Sequence, residues 1–172
     1  MINPYFFKWE QIGFPKNLHS IVLPENIKVY MLSSSQNKND VFLYRDRSEF
    51  ALSSARDDAD VIRLFTQLAS KLEQCFIANE IFDFYDSSEL HRAHTTKIDG
   101  RDMSVYRIRK ASIRLYLVLD GDVMILFRLA PKRKDKIDAS EKTIIDERVK
   151  AIFKYPIESH DFLVRLLWAR YH

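Results

Sequence analysis

Two seven-residue apolar runs, Ile113-Arg114-Leu115-Tyr116-Leu117-Val118-Leu119 and Val123-Met124-Ile125-Leu126-Phe127-Arg128-Leu129, flank Asp120-Gly121. Asp-Gly between apolar runs of this kind commits the segment to a β-hairpin, because glycine accepts the positive φ of a tight turn. With Asp120-Gly121 as a two-residue turn, Leu119 faces Asp122 and Arg114 faces Phe127. Alternation then places Leu115, Leu117, Met124 and Leu126 on one face and Arg114, Tyr116, Ile125 and Phe127 on the other. The first is the better core face. The second is mixed and is expected to be partly open.

Charge accumulates around this hairpin. The chain as a whole carries only +3, yet residues 101–136 hold ten Lys/Arg and four Asp/Glu. Upstream, Tyr106-Arg107-Ile108-Arg109-Lys110 reads as a strand, and alternation puts Arg107 and Arg109 on one face. Downstream come Lys132, Arg133, Lys134 and Lys136. A three-stranded antiparallel sheet brings these cations into one neighbourhood, although the register between residues 105–109 and 113–117 stays open because a bulge can intervene. An arginine-rich sheet face suits phosphate: guanidinium groups stay charged and grip phosphate oxygens bidentately. They can also stabilise a phosphorane-like transition state. The plainer alternative is a solvated face paired with carboxylates.

The remaining elements follow from periodicity. Val61, Leu64, Phe65, Leu68, Leu72 and Phe76 fall at helical spacing behind Asp57, Asp58 and Asp60, whose charges suit a helix N-terminus. Residues 140–155 predict a second helix, with Ile144, Ile145, Val149, Ile152 and Phe153 inward and Pro156 as terminator. Residues 158–172 predict a third. Residues 26–32 and the short run Val41-Phe42-Leu43-Tyr44 read as strands on either side of a polar loop at 33–40.

Composition removes several classes. Three glycines, Gly13, Gly100 and Gly121, leave no glycine-rich phosphate loop of the P-loop or dinucleotide type. A single cysteine, Cys75, excludes an internal disulfide and a cysteine-based zinc cluster. No run approaches the roughly 18 apolar residues of a membrane span, and the first residues lack the order of a signal peptide. A cytoplasmic protein with no membrane partner, no cofactor and no metal is the expectation. His91-Arg92-Ala93-His94 offers two histidines three apart, a spacing that on a helix could ligate a metal or serve acid–base chemistry, but surface histidines are the simpler reading. Asp83, Asp86 and Glu89 are read as solvent-facing acids.

Taken in order, the helix, Tyr106-Arg107-Ile108-Arg109, Ile113-Arg114-Leu115-Tyr116, Asp120-Gly121, the second apolar strand and Lys132-Arg133-Lys134-Asp135-Lys136-Ile137 resemble the RelE/ParE superfamily of bacterial toxins. The resemblance implies an α+β fold: an antiparallel β-sheet of about four strands with helices packed on one face, plus an N-terminal extension. It divides the chain into an extension (1–54), a toxin-like domain (55–155) and a C-terminal helix (156–172). It implies the toxin of a toxin–antitoxin pair, partnered by a cognate antitoxin and by mRNA on the ribosome, with homo-oligomerisation left open. In that reading Arg107, Arg109, Arg114 and Arg133 carry metal-independent RNA cleavage, and Lys110, Tyr116, Lys132, Lys134 and Lys136 bind RNA. Where RelE-type RNases place a base-stacking tyrosine this chain has Asp138, so Tyr116 or Tyr155 is expected to supply the ring. A gyrase-directed ParE-like toxin and a non-catalytic interaction protein of the same fold are the alternatives.

Overall fold

The computed structural model describes residues 4–9, 28–54, 58–78, 84–120, 123–132 and 137–154. Expectations for Arg133, Lys134, Lys136, Tyr155, Asp57, Asp83 and the helix at 158–172 lie outside the described residues. Among the described residues six strands and three α-helices follow in the order β1 (Tyr5–Lys8), β2 (Lys28–Ser33), α1 (Phe42–Ser54), α2 (Asp58–Ala78), β3 (Leu90–Ile98), β4 (Arg101–Lys110), β5 (Ile113–Asp120), β6 (Val123–Pro131) and α3 (Ala139–Lys154). The class is α+β. The sheet, however, has six strands in the order β1-β2-β6-β5-β4-β3, and it is mixed, not purely antiparallel: β2 runs parallel to β6. The segment expected as an extension supplies β1 and β2, an antiparallel pair that completes one side of this sheet.

Both faces of the sheet are covered, which corrects the expectation of helices on one side. On one face Leu64, Leu68 and Leu72 of α2 pack with Leu115, Leu117, Met124 and Leu126. On the other, Ile145, Val149 and Ile152 of α3 pack with Tyr116, Val118, Ile125 and Phe127. The assignment of side chains to the two faces of the β5–β6 hairpin therefore holds, but the mixed face is buried, not open. Its apolar members outnumber its polar ones, and α3 is apolar along the stripe that meets them.

The hairpin register differs by one step from the expected pairing. Asp120 pairs with Val123, and Leu119 with Met124, so the turn falls one residue later than Asp120-Gly121. A bulge then follows: Tyr116 opposes Arg128 while Leu117 opposes Leu126, leaving Phe127 as the extra residue. The bulge brings Phe127 and Arg128 together onto the α3 side and sets Arg114 opposite Ala130.

The run Val41–Tyr44 is not a strand. Val41 makes a single bridge to Ser33 and the chain turns into α1. Asn37 begins the change, its side chain accepting from the backbone N–H of Asn39 (3.0 Å) at the head of a 3-10 turn. A four-residue apolar run fits either element, and here helical spacing decides. Phe42 and Asp46 lie one turn apart toward α3, while Leu43 and Phe50 face the α2 side.

Candidate anion site at the end of the sheet

The β4–β5 turn is two residues long, with Lys110 opposite Ile113, and Ala111 accepts a positive φ of 48° to close it. This fixes the register that the sequence left open. Arg109 pairs with Arg114, Arg107 with Tyr116, and on the far side of β4 Arg107 pairs with His91. Three strands therefore deliver His91, Arg107, Arg109, Arg114 and Tyr116 to one face at one end of the sheet. Arg107 and Arg114 are buried, at 5% and 3% exposure, and Tyr116 is at 0%. Arg109 and Lys110 are half-buried and Lys132 is exposed, so they form a rim around this floor.

The polar accounting on the floor is incomplete. Arg107 Nη2 stands 2.7 Å from His91 Nε2, and no carboxylate among the described residues is bonded to Arg107. Arg107 Nε and His91 Nδ1 are buried with no hydrogen-bond partner among the described residues, and the buried Tyr116 hydroxyl lies against the guanidinium groups of Arg107 and Arg114. A buried cation without a counter-charge is costly, and burial together with the neighbouring Arg114 weakens the hold of Arg107 on its proton. The phenol of Tyr116 is held protonated by burial and by Glu141, against the opposing pull of Arg114 and Arg107.

A cavity of about 230 Å³ reaches the Arg114–Tyr116 end of this floor, and neither Arg107 nor His91 lines it. It is lined by Arg114, Tyr116, Arg128, Asp138 and Glu141, with Glu49 at its side. Two of these acids are already committed. Glu141 accepts from Arg128 through both oxygens, Nε to Oε1 at 2.8 Å and Nη2 to Oε2 at 2.9 Å. Asp138 caps α3, its Oδ1 accepting from the backbone N–H of Glu141 at 2.8 Å. Asp138 thus occupies the expected tyrosine position as a helix N-cap. Tyr116 lies with the arginines as expected, but its buried ring has no open face on which a base could stack.

Behind the cavity a buried ion network fixes α3 to the rest of the molecule. The Asp46 carboxylate, fully buried, accepts from Arg128 Nη1 (2.6 Å), from Arg148 Nη1 (2.6 Å) and Nη2 (2.8 Å), and from the backbone N–H of Leu129 (2.9 Å). Arg148 also donates to the carbonyl of Phe127 (2.8 Å) and lies 4.1 Å from the centroid of Phe42.

The two histidines sit on β3, not on a helix. A bulge between Arg92 and His94 turns both toward α3, where a regular strand would have set them on opposite faces. They do not converge. His94 Nε2 and Thr96 Oγ1 share Asp146 Oδ1 at 2.9 and 2.6 Å, while His91 meets Arg107. No group of three or more metal-ligating side chains occurs among the described residues. Asp86 and Glu89 are engaged locally: Asp86 accepts from the backbone of Ser88 and Glu89, and Glu89 binds Lys71 Nζ at 2.6 and 2.7 Å.

The sequence offered His91 as a metal or acid–base candidate and favoured a surface histidine, while Arg128 and Glu141 were passed over. Glu141 had a local signal, since Asp138-Ala139-Ser140-Glu141 has capping-box spacing. Arg128 had none, because a bulge brings it inward, and the contact of His91 with Arg107 rests on the pairing of β3 with β4. No helix among the described residues is long and apolar enough to cross a membrane. Comparison with protein-family models, with curated proteins and with solved structures returns no match.

Proposed function

We propose that this chain binds RNA phosphate at the arginine floor and acts as the toxin of a toxin–antitoxin pair, cleaving mRNA on the ribosome. The observation that carries the reading is the buried Arg107, bonded to a histidine and to no carboxylate among the described residues, beside Arg114 and the buried Tyr116 hydroxyl. Buried groups of this kind call for an anion, and a phosphodiester supplies the charge and the acceptor oxygens. Arg109, Lys110 and Lys132 at the rim hold the flanking phosphates, while Arg107 and Arg114 stabilise the charge that grows on the reacting one. Tyr116, wholly buried, positions the guanidinium groups of Arg107 and Arg114 from beneath.

The burial of Arg107 and Arg114 favours a second reading, a non-catalytic interaction protein whose cognate partner covers the rim. Translating ribosomes incubated with purified wild type and with Arg109→Ala separate the two. Arg109 is the variant of choice because it is only half-buried, so the fold tolerates its loss. We expect mRNA cleavage by wild type, and in Arg109→Ala a raised KM with kcat little changed, since a flanking-phosphate contact is lost. Folded wild-type protein that leaves mRNA intact, with no growth arrest on expression, overturns the RNase reading and leaves the interaction protein.

A further inference from the structure

We infer that His91 is the proton acceptor of this site, taking the 2′-hydroxyl proton of the RNA through Nε2 once a bound phosphate has drawn Arg107 away. The inference rests on the RNase reading and adds a residue that the arginine set does not supply.

The tautomer follows from the contact. Arg107 can only donate, so His91 Nε2, 2.7 Å away, must accept, and the imidazole is neutral with its proton on Nδ1. The surroundings keep it so. Burial, then Arg107 and Arg109 on β4, and Arg114 on β5 disfavour a charged ring and outweigh the backbone of Ser87, which favours it. From α3 the carboxylate that reaches β3 is Asp146, and it is bonded to His94 and Thr96, not to His91. A neutral imidazole with its lone pair held by the very arginine that a phosphate would recruit is a base masked until substrate arrives. His91 is half-buried on β3, directly across from Arg107 on β4.

The step balances without a co-reactant other than water. The 2′-oxygen attacks phosphorus as His91 Nε2 takes its proton. The P–O5′ bond breaks, and the 5′-oxygen leaves with a proton from water. The products are a 2′,3′-cyclic phosphate and a 5′-hydroxyl, and the imidazolium returns its proton to the hydroxide formed.

Two measurements test this on the full chain. The first is the pH profile of kcat/KM for cleavage of ribosome-bound mRNA. Wild type should show an acid limb set by a group below the ordinary histidine value of 6.5. His91→Asn should lose that limb and about 10²-fold in rate at neutral pH. The second is the His91 imidazole nitrogen spectrum of the wild type with a single-stranded oligonucleotide that carries 2′-deoxyribose at the scissile position. Binding should shift Nε2 and raise the pH at which the ring protonates. A wild-type acid limb retained in His91→Asn, or an imidazole unmoved by saturating oligonucleotide, overturns the role of His91 and leaves the RNase standing. Wild type that neither binds the oligonucleotide nor cleaves mRNA overturns both.

Discussion

Asp46 shows how much can depend on one side chain. Its carboxylate is the common acceptor for two buried arginines and for the backbone of β6, joining α1, β6 and α3 at one point. The network is not a gift to stability relative to an apolar core, since three desolvated charges must first be compensated. Breaking it is another matter. Asp46→Asn keeps the shape and removes the charge, leaving Arg128 with Glu141 and Arg148 without an anion. We expect a loss of about 3–5 kcal/mol, read as a lower urea midpoint. A change within 0.5 kcal/mol would mean that solvent already compensates Arg148. Asp146 differs in degree. Burial opposes its ionisation, but the hydrogen bonds from Thr96 and His94 outweigh burial and hold its pKa below the usual 3.8. The stability it adds is complete above that value and fades as the pH falls through the lower folded one.

At the scale of elements, the two-sided burial of the sheet makes α2 and α3 equal contributors to the core. Leu68→Ala on α2 and Ile145→Ala on α3 should each destabilise by about 2–5 kcal/mol, because both side chains are almost wholly buried. Equilibrium denaturation checks this, and a fold indifferent to Ile145→Ala would show that α3 is a loosely attached arm. The α2 stripe, the α3 stripe, the β5–β6 hairpin and the basic strand β4 were all legible in the sequence, because each is written in a period that local residues suffice to set. The Asp99-Gly100 turn of the β3–β4 hairpin carried the same dipeptide signal as Asp120-Gly121 and went unread. Three things were not legible. The bulge at Phe127 that brings Arg128 inward is a register choice. The run Val41–Tyr44 is too short for its own period to separate strand from helix, and the partners of Asp46 in the same helix lie far along the chain. The burial of Arg107 and Arg114 required knowing that α3 crosses the mixed face. The candidate site was thus visible as a set of cations, but not as a floor and a rim.

For the whole molecule, that division governs how it would meet a polyanion. Only the rim is presented to solvent, so affinity for single-stranded RNA should fall with salt less steeply than the full count of cations suggests. Replacing Arg109 and Lys110 together by Ala should flatten the slope of log affinity against log salt by about two units, measured by titration at several ionic strengths. An unchanged slope would place the RNA on another surface. The parallel pairing of Lys28 with Val123 has a consequence for synthesis. An early strand waits for a late one, and Asp46 waits for Arg128 and Arg148, so a nascent chain closes its sheet only after residues far downstream have left the ribosome. A ribosome making this protein therefore carries β2 and α1 unpartnered until β6 and α3 have emerged, and the arginine floor is roofed only then.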